Sequence, residues 1–262
     1  MIGYRGTRYA GWAIQPAAVT HGRPTLQATL QDALQDALGH PGALQCAGRT
    51  DAGVHADAQV VTFGTSSSIP PNGLLQVLPR RLPDDVWLLE AAEVEPSFDA
   101  RRSALRRWYR YAIWQSASAP PAAWQGRCLI QRGPLSVAAM RQAAQLLLGR
   151  HDFGAFATSP TPSSRSTVRT VYIADWLEVE PAALLLFEVC ADAFLKQMVR
   201  TIVGSLLWVG SGHWSVDRFS SALASADRRQ AGPTAPASGL SLHRIDYPRS
   251  TQQHHAQHPE DV

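Results

Sequence analysis

Lysine is almost missing from this 262-residue sequence: Lys196 is the single one, so twenty-three of the 24 basic side chains are arginines. Against 21 acidic residues they leave a formal net charge of +3. The scarcity of lysine leaves few compact ammonium charges and many planar guanidinium forks, which suit phosphate oxygens and stack on bases. A GC-rich genome produces the same bias by replacing lysine codons throughout, so only arginines clustered beside other signals carry weight. Long hydrophobic runs are also absent. No stretch approaches the roughly eighteen apolar residues of a membrane span. The opening MIGYRGTRYAGW has no basic region leading into an apolar one, which argues against a secretory signal. Cysteine is scarce too. Cys46, Cys128 and Cys190 are odd in number, far apart and in no Cys-x-x-Cys spacing, so neither a disulfide framework nor a thiolate zinc site is offered. A reducing cytoplasm is the expected compartment. What remains is a globular composition, 45% hydrophobic and 17% charged, long enough for one large or two small domains.

Hydrophobic spacing sets the expected elements. A short strand and tight turn open the chain. Leu26, Leu30, Leu34 and Leu38 recur every four residues behind a capping Thr25 and before Gly39, which predicts a helix over 25–38. The glycine-flanked loop 48–56 leads to an expected strand over 59–63, and the turn-rich 64–73 breaks the pattern. Strands are expected over 86–91 and 107–114, the latter alternating Trp108, Arg110 and Ala112 with Tyr109, Tyr111 and Ile113. A Ser, Ala and Pro stretch over 116–122 reads as a linker or excursion. Ser136 caps a second expected helix that Gly149 closes, and 168–177 with 184–191 reads as a hairpin. A helical stripe from Phe194 through Leu195, Met198, Val199, Ile202, Val203 and Leu206 runs to Gly210, followed by a helix over 216–224 and a strand over 239–247. This order is not the regular alternation of a parallel α/β fold; it implies α+β halves with helices packed on antiparallel sheets. The expected halves are 1–104 and 105–248, with a polar, disordered tail over 249–262 whose His254, His255 and His258 lack a rigid frame for a metal.

Three segments could carry chemistry. Gly48-Arg49-Thr50-Asp51-Ala52-Gly53-Val54-His55 places an acidic residue between glycines on a loop able to approach a ligand closely, although the same residues also make an ordinary turn in which Asp51 caps local N–H groups. Residues 100–111 interleave Arg101, Arg102, Arg106, Arg107 and Arg110 with Trp108, Tyr109 and Tyr111. Arginine beside stacking rings suits a nucleic-acid surface, and a strand with one solvated basic face gives the same pattern. Arg200 lies within an apolar helical stripe, where a charge is costly unless paired. Lys196 stands one turn before it and Gly204 one turn after, a glycine that permits close approach. Asp51 is the expected partner of Arg200.

These residues resemble the tRNA pseudouridine synthase A family over nearly the whole chain. Tyr4-Arg5-Gly6-Thr7 through Gly11-Trp12-Ala13-Ile14-Gln15 is similar to the family's Tyr-Asp-Gly-Thr and Gly-Trp-Gln-x-Gln opening. Gly48 to His55 with Gln59-Val60-Val61 and Phe63 resembles the catalytic loop. Phe98-Asp99-Ala100-Arg101 and Tyr109-Arg110-Tyr111 resemble the second motif, and Gly149 to Phe156 a third. Ala193 to Arg200 with Ile202-Val203-Gly204, then Ala231 to Pro236 with Gly239-Leu240, complete six blocks in order. Arg5 stands where the family usually has aspartate and Ala13 where it usually has glutamine. Relatives begin several residues earlier, so a short first strand and a natural start upstream of Met1 are expected.

The resemblance implies an α+β pseudouridine synthase fold around a catalytic cleft, and an isomerase that needs no cofactor and no metal. It implies a homodimer with tRNA as partner and uridines 38, 39 and 40 of the anticodon stem-loop as targets. Asp51 matches the essential aspartate, acting as nucleophile at C1′ or as base at C2′. Arg200 matches the arginine that pairs with it, Tyr109 the tyrosine stacked on the target base, and Arg49 the arginine that contacts RNA as the nucleotide flips out. Independently of the resemblance, alternation along the strand lets only some of the five arginines of 100–111 face RNA, and Arg107 or Arg110, flanking Tyr109, is expected on phosphates. Two other functions fit less well: a catalytically silent RNA-binding protein of the same fold, and a nucleoside glycosidase, which normally needs two carboxylates where the Asp51 loop offers one.

Overall fold

The computed structural model describes residues 1–39, 41–158, 166–180 and 183–248. The tail expected over 249–262, with its three histidines, lies outside the described residues. The first half contributes strands β1 (Ile2–Tyr4), β2 (Gln45–Cys46), β3 (His55–Gln59), β4 (Val61–Thr62) and β5 (Val86–Leu88), and helices α1 (Ala17–Thr20), α2 (Leu26–Leu38) and α3 (Pro71–Val77). The second contributes β6 (Arg106–Trp114), β7 (Leu129–Ile130), β8 (Gly149–Asp152), β9 (Val168–Glu180), β10 (Leu184–Ala191) and β11 (Leu240–Asp246), and helices α4 (Val137–Gln145), α5 (Met198–Gly210) and α6 (Val216–Ser225).

The α+β reading holds. One large sheet runs in the order β5-β1-β3-β11-β6-β10-β9-β8, almost all of it antiparallel. Its seam is β11. This last strand pairs in parallel with β3, Ser241 opposite His55, and antiparallel with β6, Leu240 opposite Tyr111. β11 therefore ties the strand that follows the Asp51 loop to the strand that carries Tyr109. Residue 104, the expected meeting point of the halves, lies just before β6.

The helices form where spacing and caps agree. Leu26, Leu30 and Leu34 of α2 are buried, the Thr25 hydroxyl accepts from the Ala28 N–H at 3.4 Å, and Gly39 closes the helix at φ +87°. Ser136 caps α4 through the Ala139 N–H, and Ser215 caps α6 through Arg218. Burying each of these leucines contributes about 1.5–3 kcal/mol. They belong to one apolar cluster that runs through Tyr111 and Phe187 of the sheet to Met140 of α4 and Leu206 of α5. The expected hairpin is the β9–β10 pair, Phe187 opposite Trp176.

Three expectations need correcting. The strand expected over 59–63 is two: β3 ends at Gln59, and β4 leaves the main sheet to pair with β2. The backbone changes partner at Val60, whose carbonyl accepts from the Ala47 N–H at 2.9 Å next to β2, while the Gln59 amide turns inward to bond the Gly48 peptide. The helix expected from Phe194 begins only at Met198, because Gln197 is left-handed at φ +58° and stops helical propagation toward the N-terminus. Lys196 is therefore not on the helix face of Arg200. Finally, the turn-rich 64–73 contains the start of α3, with Pro71 in the first-turn position where a missing N–H costs nothing.

Candidate active site

The Asp51 loop is pinned from four sides. Gln59 clamps the peptides beside Gly48: its Nε2 donates to the Gly48 carbonyl at 2.6 Å and its Oε1 accepts from the Gly48 N–H at 3.3 Å. Thr50 shares a 2.8 Å hydrogen bond with the Tyr4 hydroxyl, and its carbonyl accepts from the Trp12 N–H at 3.0 Å. Gly53 takes φ +80°, which lets the chain double back so that Val54 N–H reaches the Asp51 carbonyl at 3.1 Å. Downstream of the turn, His55 Nδ1 accepts from the Gly6 N–H at 3.2 Å, so the proton sits on Nε2, which donates to the Ser238 carbonyl at 3.2 Å. Burial, reinforced by the nearby Arg127 charge, lowers the His55 pKa to about 4 and keeps the ring neutral. A loop tied this often presents Asp51 in one position.

Asp51 and Arg200 meet as expected. Arg200 Nη1 lies 3.9 Å from Asp51 Oδ2, with the arginine side chain 14% exposed and the carboxylate 30%. Burial pushes the Asp51 carboxyl above the ordinary carboxylate range, and the charges of Arg200 and then Lys196 hold the rise back. Desolvation outweighs the attraction to these two cations, so the net displacement is upward. The contact is too long for a direct hydrogen bond, which leaves the carboxylate oxygens free for a ligand. Lys196, exposed and outside the helix, lies close enough in the 192–197 segment for its charge to act on Asp51.

The 231–235 segment orients Arg200. Its Nε donates to the Ala235 carbonyl at 2.7 Å, and the Ala235 N–H donates to the Arg200 carbonyl at 3.0 Å. Gly204 permits this approach, as its place in the stripe suggested: a Cβ there would stand 1.8 Å from the Pro233 carbonyl oxygen. Ser205 adds a hydrogen bond from the Gly232 N–H at 2.9 Å.

Tyr109 is brought to the same place. Its residue is 7% exposed, its ring meets Phe194 edge-to-face at 5.1 Å and 85°, and its hydroxyl lies so that a Cβ on Gly48 would be 3.6 Å away. Burial, then the neighbouring Tyr4 and Asp51, push its phenol well above the usual range, so it stays neutral. Arg49 is exposed beside the loop. Residues given no site role from the sequence complete the site: Gln59, Tyr4 and Phe194. A signal existed for Gln59, an uncharged polar residue next to Val60-Val61 that is fully buried. Phe194 carried none, because it reads equally as helix core.

The basic segment divides by face. Arg101, Arg102 and Arg106 are exposed, and Arg106 lies 4.4 Å over the Tyr172 ring. The phosphate role expected for Arg107 or Arg110 fits neither position. Arg110 alternates with Tyr109, so it emerges on the opposite face of the sheet, where its Nε donates to Glu188 at 2.7 Å. Arg107 is spent on main-chain carbonyls. Trp108, also on the outer face, donates to Asp246 at 2.8 Å beneath Arg244, in the packing role expected of it. Arg110→Ala should accordingly leave tRNA affinity and its salt dependence at wild-type values in a binding titration, whereas a lost phosphate contact would lower the slope of log affinity against log salt by nearly one unit.

Comparison with known proteins identifies the family. A family model for tRNA pseudouridine synthase matches residues 143–248. The tRNA pseudouridine synthase A of Chloroflexus aurantiacus is 44% identical over 253 residues, covering 95% of this chain and 87% of that protein. That of Moorella thermoacetica is 42% identical over 246 residues, covering 94% and 97%. Among solved structures, a chain of a Cbf5-Nop10-Gar1 complex aligns at 14% identity and TM-score 0.33, over 88% of this chain and 60% of that one, too weak a likeness to carry any part of the assignment. Identity above two-fifths, held over nearly the full length of both chains, places this protein in the tRNA pseudouridine synthase A family of isomerases.

Proposed function

We propose that the protein converts uridine to pseudouridine at positions 38, 39 and 40 of the tRNA anticodon stem-loop, with Asp51 as the reacting carboxylate. The observation that carries this reading is a half-buried carboxylate held 3.9 Å from Arg200 on a loop pinned from four sides, beside a buried tyrosine. Isomerisation needs no net oxidant or group donor. The N1–C1′ bond breaks, the freed uracil turns, C5 bonds to C1′, and the proton lost from C5 is balanced by one gained at N1. Asp51 serves either by attacking C1′, forming an ester that C5 later displaces, or by removing the C2′ proton. Both routes begin from the ionised form, which Arg200 and Lys196 favour. Tyr109 and Phe194 supply the apolar surface that holds the base during its turn. Arg49, exposed at the loop, contacts the RNA backbone as the nucleotide leaves its stack.

The halves 1–104 and 105–248 act as the two walls of the cleft, joined through β11. The resemblance to the family supports a homodimer with one tRNA across both subunits. The exposed Ile173 and Leu177, which share the outer face of β9, offer an apolar surface for the second copy. A reducing cytoplasm suits three free, buried cysteines and the tRNA substrate. Neither a cofactor nor a metal is required.

Unmodified tRNA transcripts with uridine 38, 39 or 40 replaced singly by cytidine test the assignment of position. Each replacement should remove pseudouridine at that position alone, read by chemical mapping. Modification that persists elsewhere after all three are replaced would assign the enzyme to another part of tRNA. Free uracil would indicate a glycosidase, and unchanged uridine a silent binder.

A further inference from the structure

Arg107 precedes Tyr109 by two residues on β6 and so shares its face. Its guanidinium makes five hydrogen bonds, all to main-chain carbonyls. Nε and Nη2 each reach the Ala47 oxygen at 3.3 Å. Nη1 donates to Ala104 at 3.1 Å and to Asp192 at 2.6 Å, and Nη2 also donates to Arg101 at 2.6 Å. Arginine carries five N–H donors, and none is left for a phosphate.

The carbonyls come from three separate parts of the chain. Ala47 is the stem of the Asp51 loop, immediately before Gly48. Arg101 and Ala104 lie in the turn before β6, which is fixed in its own right: the Ser103 N–H donates to the Asp99 carbonyl at 2.9 Å, and the Tyr247 hydroxyl donates to the Ala100 carbonyl at 2.7 Å. Asp192 opens the segment that carries Phe194 and Lys196 toward α5, and its own carboxylate is anchored by the Thr170 and Ala193 N–H groups. One planar cation thus joins the loop bearing the carboxylate to the segment bearing the second cation and the ring that meets Tyr109.

We propose that Arg107 is a positioning residue for the isomerisation: it sets the stem of the Asp51 loop against the 192–196 segment, and it does not touch RNA. This role rests on Asp51 being the reacting carboxylate. Lysine cannot replace it fully, because an ammonium has three donors at one point where this geometry uses a fork reaching four carbonyls.

The test uses the full-length wild type, Arg107→Lys, Arg107→Met and Asp51→Asn. Fold is compared by circular dichroism, tRNA affinity by titration across salt, and pseudouridine formation by single turnover at saturating tRNA. Arg107→Lys should fold, bind tRNA within about twofold of wild type with an unchanged salt slope, and react about 10–100-fold more slowly, as a misplacement near 1 Å would cause. Arg107→Met should be slower still; if it does not fold, Arg107→Lys alone decides. A wild-type rate at saturation in Arg107→Lys overturns the proposal. So does a loss confined to affinity with a shallower salt slope, which would make Arg107 a phosphate contact, or an Arg107→Lys protein that fails to fold, which would make it a folding element. The Asp51→Asn arm separates the two levels. Turnover in that variant removes the catalytic assignment and this role with it, whereas an inactive Asp51→Asn beside a fully active Arg107→Lys removes this role alone.

Discussion

Asp51→Asn should fold, bind tRNA and form no pseudouridine. The amide has nearly the shape of the carboxylate but can neither attack C1′ nor accept the C2′ proton, so the whole chemical contribution is lost. A general base is worth about 10²–10⁴ in rate, and loss of a nucleophile costs more. Folding should not suffer, because Asp51 makes no direct hydrogen bond through its carboxylate to Arg200, the contact being 3.9 Å. The sign of the stability effect follows from the raised carboxyl pKa. A group whose folded-state pKa lies above its unfolded value makes its favourable contribution at low pH and loses it as pH rises through the folded value. Wild type therefore bears the cost of a half-buried charge at neutral pH. Asp51→Asn should melt at the same or a higher temperature at pH 7, and the difference should shrink as pH falls toward the ordinary aspartate value of about 3.9. Wild-type activity should likewise fall on acidification from a pH above that value. Thermal unfolding and rate profiles across pH check both signs. A lower melting temperature for the variant at pH 7 would make Asp51 a structural residue.

Tyr109→Ala should lose both tRNA turnover and stability, and Tyr109→Phe should lose far less. The ring is buried, meets Phe194 edge-to-face, and carries its hydroxyl to the Gly48 stem. Truncation to alanine leaves a cavity at the edge of the site and costs about 3–5 kcal/mol by analogy with phenylalanine truncations. It also removes the surface that would hold the base. Phenylalanine keeps the ring and its contacts and removes only the hydroxyl, so its fold and tRNA affinity should stay at wild-type level, and any drop in rate measures the hydroxyl alone. Stability is read by thermal unfolding and function by single turnover. A folded Tyr109→Ala with wild-type rate would end the stacking role.

Much of this architecture was legible in the sequence because spacing and caps agree with tertiary packing. The leucine repeat of α2 with Thr25 and Gly39, the alternation along β6 and the β9–β10 hairpin each point to one structure locally and globally. The Asp51–Arg200 pair was legible for a different reason, since a cation within an apolar stripe demands a partner. The misreadings arose where backbone conformation or tertiary direction decides. Gln197 is left-handed without being glycine or asparagine, so nothing in its type announced that α5 starts four residues late. His55 and Ala56 read as the end of the loop, yet they open β3, where His55 is turned inward to bond the Gly6 N–H and, with Gln59, holds the Asp51 loop. Arg107 and Arg110 look alike in sequence. Their odd spacing puts them on opposite faces, and only the packed structure assigns one to carbonyls and the other to Glu188.

The central claim is that this chain rejoins the base it detaches, through Asp51. The most direct measurement is release of tritium from tRNA labelled at uridine C5, because forming the C5–C1′ bond expels that hydrogen. Wild type should release one tritium per pseudouridine formed, with no free uracil, and Asp51→Asn should release none above background. Free uracil from wild type, no tritium release at all, or release that continues in Asp51→Asn would contradict the account.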